Sequence, residues 1–111
     1  MRPSYHLTPC DWWASADPAE PLGAPSLADE GFIHCTDGAA NMVATANRHY
    51  AADPRAFLVV TLDLDRVTSP WEVADEGAIY PHVFGPIDRS AILDVRPAPR
   101  APDGTFLPFT D

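Results

Sequence analysis

Phe57-Leu58-Val59-Val60-Thr61-Leu62-Asp63-Leu64 is the stretch on which the fold turns. Rich in β-branched residues and largely apolar, it is the strongest strand signal in the chain and is expected at the centre of a sheet. Just upstream, Asp53-Pro54 breaks a helix expected to start at Thr36 or Asp37 as N-cap and to continue to about Tyr50. Ala39, Val43, Ala46 and Tyr50 form an apolar stripe at helical spacing, the face that would pack on the sheet. Further upstream, residues 32–35 read as a strand, preceded by one helical turn over 26–30 that Gly31 stops. Residues 18–25 are a proline-rich loop. The chain opens with a strand over 4–7, then a helix capped by Thr8, with Pro9 in its first position and Asp11 completing a capping-box-like arrangement, running to about Asp17.

Downstream, Ser69-Pro70 marks a turn, 71–73 a short strand, Asp75-Glu76-Gly77 another turn and 79–84 a further strand ended by Gly85-Pro86. One helical turn over 87–90 and a last strand over 91–96 follow. Pro97, Pro99, Pro102 and Pro108 then predict a tail without regular structure that wraps the surface. Strands and helices first, mostly strands afterwards, argue for an α+β domain with a small antiparallel or mixed sheet and two main helices. One domain over 1–111 is expected, with a core of about 4–97 and an irregular tail over 98–111.

The chain's 111 residues, 46% of them apolar, suffice for a single core. A formal net charge of −9, spread along the chain, disfavours general nucleic-acid binding and anionic membrane surfaces. All seven basic side chains are arginine, which genomic composition explains for most of them, leaving one or two as clamps for phosphate or carboxylate. No stretch reads as a signal peptide or approaches the ~20 apolar residues of a membrane span, so a cytoplasmic location is expected. Cys10 and Cys35 lack metal or disulfide spacing. No Gly-rich dinucleotide fingerprint, P-loop or H-E-x-x-H is present.

One pattern recurs three times. A histidine lies two residues from a hydroxyl in a strand-like run: His6 with Thr8, His34 with Thr36, and Tyr80 with His82. Side chains alternate along a strand, so each pair shares one face, while Leu7, Ile33 with Cys35, and Ile79 with Val83 take the other. Titratable imidazoles beside hydroxyls suit a polar small molecule, and the three histidines are expected to share one pocket. They would also suit zinc or copper, but no acidic residue stands at a ligand interval, so no metal site is assigned. Cys35, facing away from His34, reads as core; Thr36, Asp37 and Gly38 read as a helix cap more simply than as an anion site. Trp12 and Trp13 read as packing rather than a base-stacking platform.

Several strings together resemble a family of bacteria and plants described as domain of unknown function 952. They are Tyr5-His6-Leu7, Gly31-Phe32-Ile33-His34-Cys35-Thr36, Ala46-Asn47-Arg48-His49-Tyr50, Trp71-Glu72 and Tyr80-Pro81-His82-Val83-Phe84-Gly85-Pro86, spanning roughly 4–97. The resemblance implies an ADP-ribosyltransferase-like fold, a split β-sheet whose cleft grips a nicotinamide dinucleotide. On that basis His6 would contact a ribose hydroxyl, and the aromatic stacked on nicotinamide would be Tyr80, Trp71 or Tyr50. The glutamate steadying a cation-like ribose would be Glu72, with Glu76 the weaker choice. The better-known transferases' aligned tyrosine and late glutamate have no clear counterpart here.

The expected site therefore has His6, Glu72 and His82 as catalytic groups, and His34, Thr36, Arg48, Trp71 and Tyr80 as ligand contacts. The expected partner is a small molecule such as NAD or ADP-ribose, bound for transferase or glycohydrolase chemistry. A non-catalytic sensory module using the same pocket is the alternative, followed by a metal-dependent hydrolase. No oligomeric state follows from the sequence.

Overall fold

The computed structural model describes residues 1–74 and 77–110. Its elements in order are β1 (Pro3–Pro9), α1 (Cys10–Ser15), α2 (Pro25–Glu30), β2 (Ile33–His34), α3 (Ala39–Tyr50), β3 (Phe57–Asp63), β4 (Trp71–Val73), β5 (Pro81–Val83) and β6 (Ile92–Pro97). Single 3₁₀ turns lie at Leu64–Arg66 and Arg89–Ala91. Two antiparallel three-stranded sheets result, ordered β1-β3-β6 and β2-β5-β4. The fold is thus α+β. The sheets are antiparallel throughout, and β3 takes the central place its composition predicts.

Both faces of the first sheet are covered. Tyr5, Phe57 and Val59 pack with Ala39, Met42 and Ala46 of α3 and with Phe106. On the other face Leu62 joins Ile33, Cys35 and Val83 of the second sheet, with Leu22 and Ile87, in a second apolar cluster. The sheets also touch through backbone: the N–H groups of Tyr5 and Thr36 donate to each other's carbonyls at 2.9 and 2.8 Å.

Several local expectations yield to these contacts. Thr8 caps no helix: β1 runs two residues further than predicted, to Pro9, which becomes the N-cap of α1. Neither Thr36 nor Asp37 caps α3. Thr36 is taken by the bridge to Tyr5, and Asp37 by Arg2, whose guanidinium donates to both carboxylate oxygens at 2.9 and 2.7 Å. Gly38 caps instead, with φ 85°, and the Asn41 amide reaches back to the Asp37 carbonyl at 2.9 Å. The strands expected over 32–35 and 79–84 shorten to Ile33–His34 and Pro81–Val83, because each pairs only where its partner is opposite.

The tail is irregular but not merely superficial. Phe106 is buried against Phe57, and the Asn47 side chain both donates to and accepts from its backbone at 3.1 and 2.7 Å. A proline-rich composition records the lack of regular structure and misses one aromatic anchor. Asp75 and Glu76 of the predicted turn lie outside the described residues.

Candidate functional site

Where the two sheets part, β1 is an edge strand. Tyr5 spends its N–H and C=O on Thr36, so by antiparallel alternation Ser4, His6 and Thr8 bond β3, and the N–H and C=O of Leu7 face the open edge. Beside that edge lies a cleft of about 860 Å³, within the range of small-molecule sites. Its walls are β1, the α2–β2 turn, the second half of α3 and the start of β5.

His6 is the most buried histidine of the cleft, 5% exposed. Its Nδ1 lies 2.8 Å from the His34 carbonyl, which can only accept, so Nδ1 carries the hydrogen. Nε2 is then the ring's acceptor, and no group among the described residues donates to it. Burial pushes the imidazole's pKa below the usual histidine value; the His34 carbonyl opposes this and the His34 ring adds to it. His6 is therefore neutral, in one tautomer. Two residues on, Thr8 Oγ1 is also buried without a partner. Ser4 Oγ, on the same face of β1 but away from the cleft, is a third such group. Buried polar atoms of this kind are costly unless something else satisfies them, and only those of His6 and Thr8 belong to residues that line the cleft.

The mouth is wetter and more charged. Arg48 Nη2 donates to Tyr80 Oη at 3.3 Å, from α3 to the segment entering β5. His34 Nε2 donates to Glu30 Oε2 at 2.8 Å across the Gly31 turn. His82 stacks on Phe32 with centroids 4.0 Å apart and planes 13° from parallel, and lies 5.7 Å from the His34 ring. Arg55 also lines the cleft, but Asp53 grips its guanidinium, holding the Asp53 carboxyl down to about 2.

Six of the predicted site residues line this cleft: His6, His34, Thr36, Arg48, Tyr80 and His82. Tyr50 does too. Trp71 and Glu72 do not. Trp71 packs against the inter-sheet cluster under the Arg2 guanidinium, 5.8 Å from its ring centroid. Glu72 is in register with His82, and His82 with His34, so the three share a sheet face; Glu72 sits on the far strand, exposed to solvent. The histidine faces also differ from expectation: on β1 the His6–Thr8 side turns inward, whereas His34 is exposed and His82 half-buried.

Glu30 escaped the sequence reading. It is the one carboxylate lining the cleft among the described residues, and its spacing of four from His34 across a glycine stop was the available signal. Cys35 is buried, its thiol pushed up to about 12 by desolvation and then by Asp37, as befits a core residue rather than a nucleophile. Among the described residues no three of His, Cys, Asp and Glu are placed to hold one metal ion, and no helix is long and apolar enough to cross a membrane.

The model of a family described as Protein of unknown function (DUF952) matches residues 7–95. Two crystal structures of protein CC0527 from Caulobacter crescentus, one of a double mutant, are similar with TM-scores of 0.73 and 0.72 at 21% identity, covering 95% of this chain and 93% of that one. The solution structure of CC0527 gives 0.68 at 19% identity, covering 94% and 90%. At these identities the likeness is one of fold. No curated protein matches the chain.

Proposed function

The chain belongs to the DUF952 family, and from the chemistry of its cleft we propose that it binds a nucleotide-like small molecule of the NAD or ADP-ribose class. The observation that carries this reading is the pair of buried, unpartnered groups His6 Nε2 and Thr8 Oγ1 on the cleft wall. A sugar hydroxyl can donate to the imidazole, and the threonine hydroxyl can donate or accept in turn. The free edge of Leu7 adds one backbone donor and one acceptor, and Tyr50 and Tyr80 offer aromatic faces at the cleft. Two three-stranded antiparallel sheets that join at Tyr5–Thr36 and part beyond it support an ADP-ribosyltransferase-like classification.

Binding comes before catalysis in this reading, because Glu72 stands outside the cleft. A carboxylate able to steady a cation-like ribose there would be Glu30. A ligand that binds only the native state must raise the melting temperature. NAD, ADP-ribose or nicotinamide at millimolar concentration is expected to do so; no shift with any of them overturns the proposal. If the domain also catalyses, nicotinamide release disappears in Glu30→Gln and persists in Glu72→Gln. A binding module shifts the melting temperature without turnover.

A further inference from the structure

We propose that the cleft admits its ligand in one orientation, with an uncharged hydrogen-bond donor against His6 Nε2 at the inner end and a phosphate on Arg48 at the mouth. This rests on the small-molecule reading above and adds the polarity of the ligand.

The inner end is decided by the tautomer. With Nδ1–H committed to the His34 carbonyl, Nε2 is left as a buried acceptor on a residue that lines the cleft. A phosphate or carboxylate brings only acceptors at neutral pH, and two lone pairs facing each other repel. Adding a proton to the ring would place an unpaired charge in a largely desolvated site. A sugar hydroxyl or an amide N–H meets the requirement directly.

The mouth is decided by which cation is left over. Arg55 is neutralised by Asp53, and the Glu30 carboxylate is turned onto His34. Arg48 has no carboxylate partner among the described residues; its one hydrogen bond goes to a neutral phenol. In a chain of net charge −9 an anion is repelled by the molecule as a whole, so it needs such a local cation. A planar guanidinium matches phosphate oxygens in pairs, which a solvated helix-end arginine does not require. The exposure gradient agrees: Arg48 is open to solvent and His6 and Thr8 are sealed.

Calorimetric titration of ribose against ribose 5-phosphate, and of adenosine against AMP, tests this in the wild type, Arg48→Gln and Arg66→Gln, the last an exposed control outside the cleft. The phosphorylated member of each pair is expected to bind about 10- to 100-fold more tightly in the wild type and in the control. In Arg48→Gln that ratio is expected to fall toward one while the uncharged member keeps its affinity. His6→Asn is expected to weaken both members alike. Equal affinity of the two members in the wild type overturns the orientation and leaves the binding reading standing. Failure of all four compounds, together with NAD and ADP-ribose, overturns both.

Discussion

Two side chains on one strand set the terms at the residue scale. Thr8 Oγ1 is sealed from solvent without a partner, and a buried unmet hydroxyl costs about 1–3 kcal/mol. Thr8→Val keeps the shape and removes the unmet group, so it is expected to raise unfolding stability by about 1 kcal/mol in urea titration while weakening ligand binding. A loss of stability instead would mean that the hydroxyl already has a partner. His6 makes the fold pH-sensitive. Its folded pKa is lowered, first by desolvation, so as pH falls below the unfolded value of about 6.5 the unfolded chain takes up the proton first. The stability this residue contributes is present above that pH and declines as pH drops toward the folded pKa. Urea midpoints at pH 7.5 and 5.5 are expected to fall in the wild type and to move less in His6→Asn. A sequence shows that His6 and Thr8 share a face; it does not show that the face turns inward, because that depends on the second sheet lying over it.

At the scale of elements, short helices and strands are held by their ends. Gly31 stops α2 with φ 86°, the conformation that delivers Phe32 and His34 to the mouth. Beyond its chain neighbours no atom of the described residues lies within 4 Å of where a Cβ would be, so Gly31→Ala pays for backbone conformation alone, about 1 kcal/mol by thermal or urea unfolding. Arg100 closes the other end of α3. Its guanidinium donates to the carbonyls of Tyr50 at 3.0 Å, Arg55 at 2.6 Å and Gly104 at 3.0 Å, and lies over the Phe106 ring at 4.2 Å. Arg100→Lys keeps the charge but not the fork, and is expected to cost about 1.5–3 kcal/mol, read as a lowered urea midpoint with an unchanged slope. The Gly31 stop was legible because it depends on one residue's allowed φ. The partners of Arg100 were not, since Tyr50 and Arg55 lie 50 and 45 residues away in sequence and only the fold brings them to the guanidinium.

Across the whole molecule, the C-terminal segment belongs to the core. Phe106 is 3% exposed beneath α3, and Phe106→Ala is expected to destabilise by about 3–5 kcal/mol in urea titration, far more than a surface tail would allow. An unchanged midpoint would return the tail to the periphery. The sequence by itself determined the kinds and order of elements, the central place of 57–64, the α+β class and the family, because these follow from local periodicity, backbone preference and contiguous strings. It also placed His6, His34, Thr36, Arg48, Tyr80 and His82 together as candidates. Only the tertiary structure decided that Glu30 lies in the cleft while Trp71 and Glu72 lie outside it, that Thr36 and Asp37 hold other elements instead of capping α3, and that His6 offers a lone pair. Each of those outcomes depends on which distant backbone or side chain arrives opposite a given residue, and spacing along one strand carries no record of that.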